Sequence, residues 1–156
     1  MDLPIYTDKD FNLSILLYQT RDAIWKIRER ELSQYGITIM EAGVLFVIQA
    51  IGGNATPAEI SRWTFREHQT TTALLSRMEK KGLITKAKDK DRKNIWRINL
   101  TEKGQNAFSQ SLKRDSTHTA LSLLSENERQ IFESCLRKIR DHALKQTISE
   151  PTIPFP

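Results

Sequence analysis

Between Thr56 and Leu100 the order of helix starts, helix stops and changes of period leaves few arrangements open to the chain. "TPAE" (Thr56 to Glu59) is a capping box, in which a threonine and the glutamate three residues on satisfy each other's backbone amides, with Pro57 at the favoured first helical position. It predicts a short helix through Trp63. After a brief turn a second helix is expected from about His68 to Lys81, stopped by Gly82. The period then changes. "LITKAK" (Leu83 to Lys88) and "IWRINL" (Ile95 to Leu100) are short runs of strand-forming residues around the charged segment "DKDRKN" (Asp89 to Asn94), which predicts a hairpin. Short helix, tight turn, second helix and hairpin make a winged helix-turn-helix.

The flanks are helical. From Asp10 to about Gln34, Phe11, Ile15, Leu16, Tyr18, Ala23, Ile24, Ile27 and Leu32 recur at roughly helical spacing, and Gly36 supplies a left-handed cap. "TIME" (Thr38 to Glu41) is another capping box, and the helix it opens, "EAGVLFVIQAI", is apolar nearly all round, so it belongs at the centre. Beyond the hairpin, "LTEKG" predicts one long helix with Thr101 as its N-cap, carrying Ala107, Phe108 and Leu112. "SENE" (Ser125 to Glu128) opens a final helix with Ile131, Phe132, Cys135, Leu136, Ile139 and Ala143 on one stripe. The expected fold is mainly α with a small antiparallel β-wing. Residues 37–101 form the winged helix-turn-helix, residues 1–36 and 102–148 a helical region suited by its amphipathic ends to dimerisation, and residues 149–156 an irregular tail.

Charge is distributed unevenly. Pro57 to Gly104 holds 12 Lys/Arg against 6 Asp/Glu, while the rest of the chain holds 12 against 13. The excess positive charge therefore lies in 48 residues, as a nucleic-acid footprint on a neutral scaffold would require. The second helix carries three consecutive threonines, poor helix formers, in its first turn. At 100° per residue, Thr71, Leu74, Leu75 and Met78 share a core face, while Gln69, Thr72, Ala73, Ser76 and Lys80 lie opposite. Thr70 and Arg77 flank that outer face, and Arg66 lies just before the helix on the same approach. Such a face suits a groove: glutamine pairs with adenine, hydroxyls with bases or phosphates, and small methyls with thymine. His68, at the helix start, is placed near a phosphate, which the helix dipole favours. In the hairpin, Lys90, Arg92 and Lys93 are the expected DNA contacts, with Asp91 orienting Arg92.

With these residues in hand, "YGITIMEAGVLFVI", "TPAEISRW", "TTTALLSRMEKKGLI", "DKDRKN" and "LTEKG" together resemble the MarR (multiple antibiotic resistance regulator) family of transcription factors. The resemblance implies a homodimer built from the first and last helices, a repressor binding double-stranded DNA at a palindromic operator, and half-sites about one helical turn, ~34 Å, apart. It carries over Thr70 and Thr72 as groove-facing positions and Arg92 and Lys93 as the wing tip. The spacing of Asp91 within the wing departs by one residue from the common pattern, implying a register shift or a bulge and leaving open which of Arg92 and Lys93 is at the tip. Many members release DNA on binding a small aromatic effector between the two regions. Tyr18, Trp25 and Phe46 are the candidates to line such a pocket here, or are simply core.

Other classes find less support. No phosphate-cradling glycine loop and no motif-supported nucleophile and base are present, so no enzyme is expected. His68, His118 and His142 are scattered and no pair has ligand spacing, so neither metal nor cofactor is expected. The single cysteine, Cys135, is expected to be a buried small hydrophobe and suits a reducing, cytoplasmic compartment. The acidic start is no signal peptide, and "AGVLFVIQAI" is too short to span a membrane. The alternative function is a winged-helix module whose basic face docks on an acidic protein.

Overall fold

The computed structural model describes residues 7–147. Most of its helices, those beginning at His68 and Asp115 excepted, start where the sequence offers a side-chain cap. Asp8 accepts the amides of Asp10 and Phe11 at 2.9 and 3.0 Å, opening α1 (Lys9–Ser33). Gly36, at φ +70°, turns the chain beyond it. Thr38 with Glu41 opens α2 (Ile39–Ile51), and Thr56 with Glu59 opens α3 (Pro57–Trp63), both as complete capping boxes. α4 (His68–Lys80) follows a short turn. β1 (Ile84–Lys88) then pairs antiparallel with β2 (Trp96–Leu100) in one register, from Ile84 opposite Leu100 to Lys88 opposite Trp96, with no bulge between. α5 (Glu102–Ser111), α6 (Asp115–Leu121) and α7 (Glu126–Thr147) complete the described chain, the last behind the predicted Ser125–Glu128 box.

The core sits where α2, α3, α4 and the hairpin converge. Leu45 and Ile48 of α2, Ile60 of α3, Leu75 and Met78 of α4, Ile84 of β1 and Ile98 of β2 are all fully enclosed. Each such side chain contributes about 1.5–3 kcal/mol, so this cluster fixes α4 and the hairpin to one support. The hairpin has a further edge that the strand pattern did not announce. Ala55 and Ile98 exchange backbone hydrogen bonds, Ala55 N–H donating at 3.1 Å and Ile98 N–H at 2.8 Å. Beside them Asn54 N–H donates to Asn99 Oδ1 at 2.7 Å and Asn99 Nδ2 returns a bond to Asn54 Oδ1 at 2.9 Å.

The single long helix expected after the hairpin is two helices. α5 ends at Ser111, Arg114 takes a left-handed conformation at φ +50°, and α6 begins at Asp115. No proline or glycine stands at the break; its cause lies in α1. Arg28 donates to the carbonyl of Ser111 at the carboxyl end of α5, while Glu31 accepts both the amide of Ser116 at 3.3 Å and its hydroxyl at the start of α6. Arg28 and Glu31 also pair with each other at 2.6 Å. A cation thus meets one helix's negative end and an anion the next helix's positive end. Burial pushes the Glu31 carboxyl up, but the bonds from Ser116 and Arg28 outweigh it and hold it down to about 2.

Candidate nucleic-acid interface and inter-lobe cavity

α4 divides as the helical wheel requires. Thr71, Leu74, Leu75 and Met78 are buried, and His68, Gln69, Thr70, Thr72, Ala73, Arg77 and Lys80 are exposed. The threonines resolve into separate roles. Thr71 is buried and donates its hydroxyl to Glu67 O at 3.2 Å, and the exposed Thr72 donates its own to His68 O at 2.9 Å. Thr70 Oγ1 makes no intramolecular hydrogen bond among the described residues. The helix start is also open. Glu67 stands at the N-cap position without capping, so the first-turn amides and the positive end of the dipole face solvent.

The hairpin brings charge alongside. Asp89, and not Asp91, organises its turn: it accepts the amides of Asp91 and Arg92 at 3.0 and 2.9 Å and pairs with Arg97. The Arg97 guanidinium first, and then those two amides, hold the Asp89 carboxyl down to about 2. Ile95 N–H donates to Arg92 O at 2.8 Å, closing a turn with Lys93 and Asn94 as its central residues. Arg92 is thus the first residue of that turn and Lys93 the second. Lys90, Arg92 and Lys93 are exposed, and none forms a salt bridge among the described residues. Ser76 departs from the outward set. It is half-buried and accepts a bond from Lys86 of β1 at 3.3 Å, while Lys86 pairs with Glu79 at 2.9 Å, so this part of α4 is tied to the hairpin.

Arg66 also departs. Its side chain is half-buried and lines a cavity of about 790 Å³ between α1, α2, the α5–α6 junction and the turn before α4. Burial first, and then the like charge of Arg21, push its guanidinium below the ordinary arginine range. Trp25 and Phe46, named from the sequence, line this cavity with Trp63 and Phe65. Tyr18 does not line it and is exposed on α1. On α1 the cavity begins only at the Trp25 turn. Arg28, Arg66 and Arg114 supply charge, and no Asp or Glu is among the described lining residues. Arg28 is engaged by Glu31 and Ser111, and Arg114 lies 5.9 Å from the centre of the Phe46 ring. Arg28, Arg114, Trp63 and Phe65 were not singled out from the sequence, since their convergence depends on the α5–α6 break and on the path of the α3–α4 turn.

Cys135 corrects another expectation, for it is exposed. So are Ile131, Phe132 and Ile139 on the same helix, because no described element covers that stripe. The predicted tail, including Ile153 and Phe155, lies outside the described residues. No helix among the described residues is long and apolar enough to cross a membrane.

An uncapped helix with a polar outer face, flanked by a basic hairpin on a shared core, is a winged helix-turn-helix of the kind that binds DNA. Residues 35–93 match the model of the MarR family. The chain is 29% identical over 128 residues to the uncharacterized HTH-type transcriptional regulator YsmB of Bacillus subtilis, covering 80% of this chain and 86% of that protein. It is similar in structure to the organohalide-sensing RdhR transcriptional regulator in its 2,4-dichlorophenol-bound form, with a TM-score of 0.89 and 29% identity over 96% of this chain and 90% of that one. A mutant MarR from E. coli complexed with operator DNA shares the fold, with a TM-score of 0.78 and 21% identity over 89% of this chain and 99% of that one. In its winged-helix segment and in its overall fold the chain is similar to the MarR family.

Proposed function

We propose that this protein is a cytoplasmic homodimeric repressor that reads a palindromic operator and is released from it by a small organic effector. One observation carries the DNA reading: the open first turn of α4 presents Gln69, Thr70, Thr72 and Ala73 to solvent on the unit that also exposes Lys90, Arg92 and Lys93, which form no salt bridge among the described residues. Gln69 and Thr72 contact base edges, His68 and the first-turn amides hold a phosphate, and Arg77 reaches the backbone farther along the groove. The wing tip enters or borders the adjacent minor groove. Residues 37–101 act as the reading unit.

The dimer reading rests on apolar surface. Leu13 and Leu16 of α1 are 61% and 58% exposed, and Ile131 and Ile139 of α7 are 56% and 50% exposed. Two terminal helices with uncovered apolar positions fit an interface made by residues 1–36 and 102–148 of two copies. The effector reading rests on the cavity, whose size and aromatic walls suit a small organic molecule. RdhR, at 29% identity, is described in complex with 2,4-dichlorophenol, which makes compounds of that kind the first to try.

Thr72→Val tests the readout. It preserves shape and removes the hydroxyl, so the ranking of operator variants should change; a ranking identical to that of the unaltered protein would refute a base contact by Thr72.

A further inference from the structure

We propose that Lys88 and Trp96 form a seat for one DNA phosphate on the hairpin face between α4 and the turn of the wing. The ammonium and the indole N–H hold the sugar–phosphate strand that separates the groove read by α4 from the next one. The proposal rests on the DNA reading and adds a contact that neither the recognition helix nor the hairpin turn supplies.

The strand register brings the two side chains together. Lys88 stands opposite Trp96 as the outermost pair of the ladder. Alternate residues of a strand share a face, so both lie on the side that carries Ile84, Lys86, Ile98 and Leu100. Ile84 and Ile98 of that side are buried in the core, and Lys86 bonds to Ser76 and Glu79 of α4. Lys88 and Trp96 lie one step farther out, about 7 Å along the strands, where the core has ended and the turn has not begun. Trp96 is 41% exposed there, and Lys88 Nζ stands 4.3 Å from the centre of its ring.

Neither donor is used within the protein. The Lys88 ammonium and the Trp96 indole N–H form no salt bridge and no hydrogen bond among the described residues. The acids nearest in the hairpin and on α4 are committed elsewhere, Asp89 to Arg97 and the turn amides, and Glu79 to Lys86. The ring orders the lysine stem without occupying a hydrogen-bond acceptor, which leaves a pre-ordered cation with its donors free. One charged and one neutral donor fit the oxygens of a phosphodiester, and the apolar indole face suits the deoxyribose next to it. Adjacent grooves of a duplex share one sugar–phosphate strand. A unit that sets α4 in one groove and its wing at the other therefore straddles that strand between them, where this pair lies.

The test uses the full-length protein with Lys88→Gln, Lys88→Arg and Trp96→Phe, and a fluorescent mixed-sequence duplex, since a phosphate contact does not depend on sequence. Anisotropy titrations over a range of salt give the affinity and the salt slope, and thermal melting shows that each variant folds. Fluorotryptophan labelling gives a fluorine resonance for each of the three tryptophans, and that of Trp96 is identified by its loss in Trp96→Phe. Lys88→Gln should weaken binding about tenfold and lower the slope by about one. Lys88→Arg should keep the slope. Trp96→Phe, which retains the ring and removes the N–H, should weaken binding by a smaller factor at unchanged slope. The Trp96 resonance should shift when the duplex is added. A slope unaltered in Lys88→Gln, together with a Trp96 resonance that does not move, would overturn the proposal. So would a fall in melting temperature in Lys88→Gln with no change in slope, which would make the pair a clasp of the hairpin alone. In both cases a steep slope of the unaltered protein would leave the DNA reading standing. Failure of the unaltered protein to bind the duplex at low salt would overturn the two together.

Discussion

The glycine of "LTEKG" provides a sharp test of how the wing is mounted. Gly104 lies buried in the first turn of α5, and a Cβ built on it falls 1.9 Å from the carbonyl oxygen of Leu83 and 3.0 Å from the carbonyl carbon. The nearest ordinary approach of carbon to a carbonyl oxygen is about 3.3 Å, so Gly104→Ala must push α5 away from the start of β1 by more than about 1 Å. The obstacle is backbone and cannot rotate aside. The same carbonyl accepts the amide of Thr101 at 3.1 Å, and the Thr101 hydroxyl donates to Gly82 O at 2.6 Å, so the retreat also stretches the bonds that dock α5. Alanine gains about 0.5–1 kcal/mol over glycine within a helix. Overpacking costs about 1–3 kcal/mol and each lost hydrogen bond about 1 kcal/mol, which leaves a net loss of about 2–4 kcal/mol. At about 2–4 °C per kcal/mol for a chain of this size, the melting temperature should fall by about 5–15 °C. Gly43→Ala is the control, because nothing lies within 4 Å of its added Cβ and its φ is unremarkable; it should gain about 0.5–1 kcal/mol. Calorimetric melting compares the two. A Gly104→Ala protein that melts at or above the unaltered one would refute the close approach.

Other consequences are more local. Glu31, held near 2 against an ordinary 4.5, contributes stability that is present above about pH 4.5 and lost as pH falls toward 2. The full shift corresponds to about 3 kcal/mol, which water access at this junction reduces to about 1–2 kcal/mol, and urea unfolding of Glu31→Gln should lack that acid limb. Arg92→Ala should weaken binding to every duplex alike and reduce the salt slope by about one; unchanged slope and affinity would remove Arg92 from the interface. The protein should sediment as a dimer at micromolar concentration, and Ile139→Asp should shift it toward monomer, whereas a monomeric unaltered protein would refute the interface.

What was legible in the sequence was local. Threonine–glutamate pairs three residues apart and the glycines that end helices place most boundaries, because a cap is made by neighbours in the chain. The core face of α4 follows from its period alone. The α5–α6 break was not legible, since the groups that hold it, Arg28 and Glu31, lie more than 80 residues away in sequence. The half-buried position of Arg66 against the cavity was not legible for a related reason: a helical wheel does not extend into a turn, and the left-handed Phe65 redirects the chain just before it. The exposure of Cys135 reflects a stripe of helical period that no described element covers.

The most direct test of the central claim is capture of fragmented DNA from the source genome by the purified protein, read by sequencing at physiological salt. Specific readout by α4 predicts strong enrichment of one inverted-repeat motif with half-sites about one helical turn apart, weakened or altered in sequence by Thr72→Val. A profile with no enriched motif, from folded protein free of any effector, would contradict it.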